Sequence, residues 1–550
     1  MLIENIKVNV SGMEIEVAKD TTLLEISKMF NVDSVHKIIL AKVNNRYHEL
    51  VDTVNDGDDI EFCDLTNKTA NRVYLNGLIF LTKYAFNEVF GKKNSIVVKH
   101  SADKALCIET TSKITKEDLQ KVEDKMRVIV EANLPINKVT VLKTEAIEYF
   151  TKVGNLNKVG VLQYLPSTYV HLYKMGNMYN YILSKMPSET SCLNEFDLEY
   201  LNSNEFILRF PTIYIHKKIK EYEHHKKLFE VFSETKEWGK MMNVETSNDL
   251  NDVVARGKIN DLIRMSETLQ NNKLLNHAKD VVKHSDRIKI ILIAGPSSSG
   301  KTTTCNKFAM YLRSLGLSPK MISMDDFFKE RVDTPRKPNG DYDFECLEAL
   351  DLKLFNKTIA ELLSGKRVRM PEFNFLTGEK EYKKEMELHD KDILLIEGIH
   401  ALNPKLLVDI ENNHKFKIYL SPLTSVNVDE DNRMSTTDNR LLRRMVRDNR
   451  TRGYDVNRTL ELWDNVREGE EQYVFPYQDE ADFVFDTSLI YEFCVLKTYA
   501  LPLLYSVKSD SPNYEEARRL IKVLNVFLPI PSEAIPDDSI LREFIGGSCF

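Results

Sequence analysis

The sequence predicts an α/β domain with a mostly parallel sheet at residues 288–490, preceded by a small β-rich domain and an α+β domain. The run at 290–294 is apolar and β-branched, and a glycine-containing loop and a helix-compatible segment follow it. Two further buried-type strands, starting at 320 and 391, lead into acidic residues, and open parallel sheets bind ligands at such strand ends. Residues 1–66 instead show short strands and turn signals, which indicate a separate β-rich domain.

The bulk composition is that of an ordinary globular protein. The chain has 550 residues, of which 42% are hydrophobic and 29% charged, and this length suggests about two to four domains. Its net charge of −8 predicts no general attraction to nucleic acid or membranes, although arginines cluster locally near 440–452. The seven cysteines are scattered without a C-x-x-C pair, which favours a reducing compartment. Neither a signal-peptide pattern nor a membrane-spanning apolar run is present, so we expect a cytoplasmic protein.

The first 66 residues are predicted to fold independently. The pattern indicates a hairpin, a short helix and further strands, at 2–10, 13–17, 23–30, 38–43 and 59–62. This order resembles the ubiquitin-like TGS domain of threonyl-tRNA synthetases, which has a β-grasp fold. No residue here carries chemistry, and two alternatives stay open: binding or docking of a partner, and simple stabilisation.

The α+β domain at 67–250 has helix candidates at 116–133 and 217–230. It resembles the second additional domain of threonyl- and alanyl-tRNA synthetases, in which an H-x-x-x-H pair and a later Cys and His form an editing site. Here His100 is followed four residues later by Lys104, and Cys192 has no histidine companion. A cationic lysine does not ligate a metal, so we expect neither editing nor zinc binding. Residues 251–287 are predicted to form a helical linker.

A glycine-rich loop after the first apolar strand is the most specific motif in the chain. It matches G-x-x-x-x-G-K-[ST], in which backbone N–H groups surround phosphates, Lys301 approaches the β- and γ-phosphates, and Thr302 offers a hydroxyl to Mg²⁺. A glycine-serine turn without a ligand is the alternative. We expect this P-loop to bind ATP through Gly295, Pro296, Ser297, Ser298, Ser299, Gly300, Lys301, Thr302 and Thr303.

The sequence MDDFF at 324–328 brings Asp325 and Asp326 to the end of a strand. A carboxylate there can orient and deprotonate the attacking hydroxyl in phosphoryl transfer, whereas Asp326 could equally be a helix N-cap. The segment resembles the D-x-F-[YF] motif of the uridine kinase branch of the phosphoribulokinase/uridine kinase family. This resemblance implies an α/β P-loop kinase in which Asp325 is the catalytic base facing a sugar 5′-hydroxyl and Phe328 contacts the substrate.

The stretch at 341–351 resembles the F-D-H-P-D-A segment of the same family, whose aspartate holds the ribose hydroxyls. Either Glu345 or Asp343 can take this place, because a carboxylate accepts both vicinal hydroxyls. An acidic helix N-terminus is the alternative interpretation.

The stretch at 371–379 resembles the family's nucleobase-binding P-x-Y-D-F-x-x-H segment. Phe373 and Phe375 are the expected stacking residues. Gly378 replaces the histidine that hydrogen-bonds the base edge in that family, and this substitution leaves the identity of the base open.

A third buried-type strand leads into Glu397-Gly398. It matches the Walker B position in the E-G-I form of this family, which implies that Glu397 holds Mg²⁺ through water. Metal binding is therefore expected at Thr302 and Glu397 together.

An arginine-rich helix is predicted over 438–453. Like charges at this density favour a lid whose guanidinium groups neutralise transferring phosphate, and the family has a similar D-x-R-L-x-R-R lid helix. A solvated charge run and an RNA-contacting patch are the alternatives. We expect a catalytic role for Arg440 and Arg444, and substrate binding by Arg443 and Arg447.

Residues 491–550 contain apolar positions at helical spacing and are expected to brace the sheet. The whole arrangement resembles a nucleoside kinase with a synthetase-like front end. It implies an ATP- and Mg²⁺-dependent kinase acting on a nucleoside 5′-hydroxyl, with uridine or cytidine as the leading acceptor. The alternatives are another small hydroxylated acceptor, and a nucleotide-responsive regulatory protein that binds tRNA through its N-terminal half; homo-oligomerisation stays open.

Overall fold

The computed structural model describes residues 5–29, 37–91, 94–213, 219–338, 340–374, 377–424 and 426–550. Four sequence predictions extend outside these residues. They concern the start of the first strand at Leu2, the end of the first helix at Phe30, the start of a helix at Lys217, and the stacking residue Phe375.

The first domain is a five-stranded mixed sheet covered by one helix. Its strands are β1 (Asn5–Val10), β2 (Met13–Ala18), β3 (Leu40–Val43), β4 (Arg46–Glu49) and β5 (Asp59–Cys63), with helix α1 (Leu23–Met29) between β2 and β3. The strand order is β2-β1-β5-β3-β4, in which β1 and β5 are parallel and the other pairs antiparallel. Helix α1 buries Leu23 and Ile26 against the apolar face of the sheet.

The second domain contains two antiparallel sheets, of order β11-β12-β7-β6 and β10-β9-β8. A long helix that begins after the N-cap residue Asn67 packs centrally in its core. The elements are α2 (Lys68–Phe90), β6 (Ile96–Ala102), β7 (Ala105–Thr110), α3 (Lys116–Glu131), β8 (Ile136–Leu142), α4 (Lys143–Lys152), α5 (Leu156–Tyr164), β9 (Tyr169–Met175), β10 (Met178–Asn180), β11 (Asp197–Asn202), β12 (Glu205–Arg209), α6 (Lys226–Met242) and α7 (Ser247–Ala255).

The third domain contains a five-stranded sheet of order β14-β17-β13-β18-β19 in which every pair is parallel, as predicted. A separate hairpin, β15-β16, lies outside that sheet. The elements are α8 (Ile259–Lys283), β13 (Ile290–Ala294), α9 (Lys301–Ser314), β14 (Ser318–Ser323), α10 (Leu352–Leu363), β15 (Val368–Asn374), β16 (Glu379–Met386), β17 (Asp392–Glu397), β18 (Lys415–Ser421), α11 (Thr436–Arg452), α12 (Val456–Tyr473), β19 (Phe483–Asp486), α13 (Glu492–Tyr505), α14 (Tyr514–Leu524) and α15 (Arg542–Ile545).

Helices outside the predicted catalytic boundaries complete the core of the parallel sheet. Helix α8 packs on α9 and buries Leu262 and Leu274 in the same apolar cluster as β13. The segment predicted as a linker at 251–287 is therefore a structural layer of this domain, because its apolar stripe needs the sheet for burial. Leu520 and Phe544 of the C-terminal helices join the same cluster. No helix in the described part of the chain is both long and apolar enough to cross a membrane.

Buried ion pairs join the second domain to the loop between β18 and α11. Lys158 lies 2.9 Å from Asp431 and 3.1 Å from Asp429, and Lys83 lies 2.8 Å from Asp431. The Lys158, Asp429 and Asp431 side chains are at most 1% exposed. We call these four residues the buried charge cluster. Since the loop leads directly into α11, the cluster fixes where that helix starts.

A second ionic connection reaches α11 through the C-terminal helices. Arg72 of α2 donates two hydrogen bonds to Glu516 of α14, at 2.7 and 3.0 Å. Glu516 also pairs with Arg519, which in turn binds Asp438 in the first turn of α11. Helix α11 is thus held from two sides by contacts that begin in the N-terminal half.

Candidate active site

The P-loop connects the C-terminal end of β13 to the N-terminus of α9. Gly300 has φ of +83°, a left-handed conformation that favours glycine, and a Cβ at Gly295 would lie 2.5 Å from the carbonyl oxygen of Leu420. Lys301 folds over the loop and donates to the carbonyls of Gly295 at 3.0 Å and Pro296 at 3.1 Å. Thr302 is exposed at the start of the helix. Gly295 and Gly300 therefore occupy positions where a side chain would obstruct or strain the loop.

Two carboxylates bind backbone N–H groups of this loop. Ser297 N–H donates to Glu470 Oε1 of α12 at 2.8 Å, and Thr303 N–H donates to Glu543 Oε2 of α15 at 3.1 Å. Loop N–H groups and a helix N-terminus attract anions because unpaired donors point outward there. The two glutamates show that these N–H groups donate to carboxylate oxygen atoms, which carry negative charge as phosphate oxygens do.

Two acids approach the loop from neighbouring strands. Asp325 lies in the short turn after β14; solvent reaches its carboxylate, yet protein atoms surround it closely. This burial raises its pKa, while Lys301 and Arg452 act in the opposite direction. Glu397 ends β17, opposite Ser323 in β14, and accepts a 2.9 Å hydrogen bond from the Ser323 hydroxyl. Burial and the nearby Asp325 raise the pKa of Glu397 to about 7.

The arginine-rich helix α11 packs against the P-loop. Arg440 is 1% exposed and binds Glu470 through both terminal nitrogens, at 2.5 and 2.8 Å. Arg444 donates to the Ser297 hydroxyl at 2.7 Å. Glu470 also accepts from Ser297 N–H, so this one carboxylate connects α11 to the P-loop. The charges of Lys301, Asp325, Glu397 and Arg444 thus influence one cleft, whereas the buried guanidinium of Arg440 is occupied by Glu470.

Comparison with known proteins agrees with this geometry. Residues 290–489 match the phosphoribulokinase/uridine kinase family. The chain is 30% identical over 200 residues to a uridine kinase of Staphylococcus aureus (strain JH9), which covers 36% of this chain and 86% of that protein. The chain belongs to the phosphoribulokinase/uridine kinase family. Its third domain is therefore a P-loop kinase domain.

Other similar proteins match a comparable share of the chain. Uridine-cytidine kinase A of Dictyostelium discoideum is 31% identical over 198 residues, which is 36% of this chain and 35% of that relative. The chain thus spans about a third of that relative's length. A possible uridine kinase from Bacillus stearothermophilus shares 19% identity, with a TM-score of 0.25, over 36% of this chain and 89% of that structure.

Glu345 and Asp343 have different positions in the kinase domain. Glu345 packs against Gly469 of α12. A Cβ added at position 469 would lie only 2.5 Å from the Cβ of Glu345. Burial and Glu470 raise the pKa of Glu345 to about 7, while Arg444 and Lys301 oppose the rise. Asp343 accepts the Glu345 N–H at 3.2 Å. Glu345 is therefore the carboxylate of this pair that shares the electrostatic environment of the cleft.

The predicted aromatic residues form part of a buried cluster. Phe328 is 7% exposed and Phe373 is 6% exposed, and their ring centroids lie 5.8 Å apart. Phe375 lies outside the described residues. Gly378 has φ of +77°, and a Cβ there would approach Arg331 to 2.8 Å. The missing histidine therefore coincides with a tight turn that a larger residue would strain.

Arg443 does not lie where the sequence prediction put it. It is fully buried and bound to Glu492 at 2.6 and 2.8 Å and to the Thr487 carbonyl at 2.8 Å. These contacts direct its guanidinium toward α13, so the expected role in substrate binding does not fit its position. Arg447 pairs with Asp448 at 2.7 Å beside the cleft.

Sequence reasoning missed the two glutamates that bind the P-loop. Glu470 belongs to an acidic stretch of α12, and Glu543 lies in a short C-terminal helix assigned only a bracing role. Neither belongs to a motif, and their contacts join residues 173 and 240 positions apart in the chain. Only the packing of α12 and α15 onto the loop could reveal them.

Proposed function

We propose that this protein is an ATP-dependent kinase that phosphorylates the 5′-hydroxyl of a nucleoside, with uridine or cytidine as the leading acceptor. The observation that supports this most is the convergence of the P-loop lysine Lys301 and the strand-end acid Asp325 in one cleft. Phosphoryl transfer depends mainly on positioning and charge stabilisation, and the cleft offers both.

Each side chain of the cleft has a role in this proposal. Asp325 orients the 5′-hydroxyl and accepts its proton, and its raised pKa brings it nearer to neutral pH, where a general base works best. Lys301 and Arg444 stabilise negative charge that develops on the transferred phosphoryl group. Arg440 contributes by holding α11 against the loop through Glu470.

Asp325 and Glu397 supply carboxylate oxygens, which divalent cations such as Mg²⁺ prefer. Burial raises the pKa of Glu397 most, and the nearby carboxylates of Asp325 and Glu543 raise it further, so negative charge accumulates around Glu397. Thr302 and Glu397 would hold Mg²⁺ there, the latter through water. When bound, Mg²⁺ would neutralise charge on the β- and γ-phosphates of ATP.

Gly378 offers no side chain that could read a base edge, so the identity of the base stays open in this proposal. Glu345 supports a ribose, since a carboxylate accepts two vicinal hydroxyls. A kinase of another small hydroxylated molecule is the second candidate, and the same Gly378 favours it.

The deciding experiment measures phosphate transfer from ATP with Mg²⁺ to a panel of ribo- and deoxyribonucleosides. Wild type should form the 5′-monophosphate of uridine or cytidine, and Lys301→Ala should reduce turnover at least about 10²-fold. If no nucleoside is phosphorylated while ATP still binds, the nucleoside assignment is rejected in favour of another acceptor.

For the N-terminal half we propose a β-grasp domain of the TGS type followed by a synthetase-like domain. The β2-β1-β5-β3-β4 order with a parallel β1-β5 pair supports the first part. Lys104, which stands in place of the second editing histidine, pairs with Glu471 of α12 at 3.1 Å, so it supports domain contact rather than editing. Salt-sensitive retention of tRNA by the full chain would support a tRNA-binding role, and no retention at low salt would reject it.

A further inference from the structure

A cavity of about 810 Å³ lies between the second domain and the kinase domain, on the side where α11 begins. Its walls include residues of α2, β6 and β7 on one side, and of the loop after β18, the start of α11 and α12 on the other. Pro296 borders it, but Lys301, Asp325 and Glu397 do not line it, so it is distinct from the catalytic cleft. Small-molecule sites typically measure about 300–1000 Å³, and this space, which we call the α11 cavity, has that size.

The lysines and arginines that line the α11 cavity have carboxylate partners, with one exception. Those that form ion pairs are Lys68, Arg72, Lys104, Lys220, Arg440, Arg467 and Arg519. Arg433 forms no ion pair within the described part of the chain, and its guanidinium makes one hydrogen bond, from Nη1 to the Met434 carbonyl at 3.4 Å. Its Nε and Nη2 atoms are accessible and have no partner among the described residues, so they are available to a ligand.

The surroundings of Arg433 make its charge unfavourable without an anion. Arg433 is partly buried, and burial lowers its pKa to about 10, while the charge of Asp438 acts in the opposite direction. Asp438 is already engaged, because Arg519 donates to both of its carboxylate oxygens, at 2.6 and 2.8 Å. Asp431, the other acid of this wall, is bound by Lys83 and Lys158. Since charges removed from water are normally paired in proteins, an anionic ligand would supply the partner that Arg433 lacks.

The start of α11 adds hydrogen-bond donors to the same wall. This helix of 17 residues begins after the N-cap residue Ser435, whose Oγ accepts the Thr437 N–H at 3.2 Å. The N–H groups of Thr436 and Asp438 have no acceptor among the described residues, and both residues line the cavity. Helix N-termini attract anions because such donors are unpaired and the helix dipole is positive there. Arg433 lies two residues before the N-cap, so a guanidinium and a helix N-terminus meet in one wall.

A buried tyrosine gives independent evidence for a ligand in the α11 cavity. Tyr419 of β18 lines the cavity and is only 2% exposed. Its hydroxyl oxygen keeps accessible surface and has no hydrogen-bond partner among the described residues. Native proteins satisfy more than about 90% of buried polar groups, so an exception indicates a place for a water or a ligand. The Tyr419 hydroxyl is therefore a second polar group available in this cavity.

Two arginines connect the α11 cavity to the P-loop. Arg440 and Arg467 both line it and both bind Glu470, at 2.5 and 2.9 Å. Glu470 in turn accepts the Ser297 N–H of the P-loop at 2.8 Å. A ligand in the cavity and a phosphate on the P-loop would therefore be connected through one carboxylate.

We propose that the α11 cavity is a second ligand site that binds a phosphate group, either as the free ion or as part of a small phosphorylated molecule. Arg433 and the N–H groups of Thr436 and Asp438 bind the phosphate oxygens, and the Tyr419 hydroxyl binds the remainder of a larger ligand. A phosphate monoester has three terminal oxygens and a charge of about −1.5 to −2, so it can use the guanidinium and the helix donors together. A carboxylate has two oxygens and one charge. The assignment does not depend on nucleoside kinase activity, because the cavity is distinct from the catalytic cleft.

The test is hydrogen exchange of the full chain, because it reports on the α11 cavity and on the P-loop separately. Inorganic phosphate or uridine monophosphate, added without ATP, should slow exchange at residues 433–440 of wild type. Arg433→Gln should reduce the affinity measured at these residues by at least about tenfold, as expected for a lost hydrogen-bonded charge, while any protection at residues 295–303 stays unchanged. Arg264→Gln removes an exposed arginine of α8 outside the cavity, so it is the matched control and should bind like wild type.

The two phosphate probes distinguish the sources of the phosphate group. A phosphorylated molecule is identified if uridine monophosphate binds more tightly than inorganic phosphate and loses that advantage in Tyr419→Phe, whereas equal affinities identify the free ion. Melting temperatures check that the variants are folded. If Arg433→Gln does not fold, Arg433→Lys takes its place, because it keeps the positive charge but loses the planar pair of donors and should still weaken binding severalfold.

Three outcomes overturn the proposal. The first is an absence of protection at residues 433–440 with either phosphate probe, or an affinity there that Arg433→Gln leaves unchanged. The second is equal protection by succinate, which would reject phosphate as the class of ligand. The third is protection by tRNA but by neither small probe, which would reject a small-molecule site.

Discussion

The catalytic cleft differs from another cavity, of about 1140 Å³, in how its charged residues are partnered; this cavity is lined by residues of the second domain and of the loop after β18. In the cleft, Lys301 and Asp325 face a space that solvent reaches, and their charges are available to a ligand. In the cavity, Lys83, Lys99 and Lys236 are paired with carboxylates of the protein itself. The number of charged side chains around a space therefore does not define its ligand, because the partners of those side chains determine which charges remain available.

The largest expected effect lies in the cleft, at Asp325. Asp325→Asn preserves size but removes the proton acceptor, so turnover should fall by about 10²- to 10⁴-fold. ATP binding, measured by equilibrium dialysis, should change little, because the loop and Lys301 remain. The neighbouring Asp326→Asn is the matched control and should lose far less activity. Unchanged turnover in Asp325→Asn would reject the catalytic assignment.

The second prediction concerns the buried charge cluster. Lys158→Met leaves Asp429 without its lysine and Asp431 with Lys83 alone, and uncompensated buried charge typically costs about 3–5 kcal/mol. The midpoint of thermal unfolding should fall clearly. Lys68→Met is the control, because the Lys68–Asp464 pair also joins the two halves but is largely exposed, and such pairs contribute about 0–1 kcal/mol. Equal midpoints in the two variants would contradict a stabilising role for the cluster.

The third prediction tests whether Glu345 holds the substrate. Its pKa is raised to about 7, so it carries a proton below that pH and accepts two hydroxyls only above it. At saturating ATP and Mg²⁺, the bound cation keeps Glu397 ionised although its pKa is also raised to about 7. Under these conditions kcat/KM for the nucleoside should rise about tenfold per unit as pH increases toward 7, and then level. Glu345→Gln should remove this inflection, whereas Asp343→Asn should keep it. If Asp343→Asn removed the inflection and Glu345→Gln kept it, Asp343 would be the acid that holds the nucleoside.

The smallest expected effect is at Glu543. Its carboxylate occupies an N–H donor at the start of α9, so it competes with phosphate for the helix N-terminus. Glu543→Gln should lower the KM for ATP about two- to fivefold, as expected for a helix-terminus charge of about 0.3–1 kcal/mol. Glu533→Gln, an exposed change in the same C-terminal region, should leave the KM for ATP unchanged. A higher KM in Glu543→Gln would mean that Glu543 supports the loop.

The sequence predicted the parts of the kinase domain that are local. The P-loop and Asp325 follow strands and Glu397 ends one, and parallel strands place their carboxyl ends at one edge of the sheet. Helical spacing grouped Arg440, Arg443 and Arg444 on one side of α11, but it could not reveal that Arg440 and Arg443 are buried against Glu470 and Glu492 of neighbouring helices. The partners across the domains could not be predicted, since tertiary packing alone brings them together.

The buried charge cluster also orders the events of synthesis. Lys83 and its partner Asp431 are 348 positions apart in the chain. At about 5–20 residues per second, a ribosome needs roughly 20 to 70 seconds to make the intervening chain. Until then the Lys83 and Lys158 ammonium groups have to stay hydrated, because an unpaired charge is not buried in a folded interior. The N-terminal half can therefore fold early on its own scaffold, but its surface toward the kinase domain closes only after the loop at 424–432 has emerged.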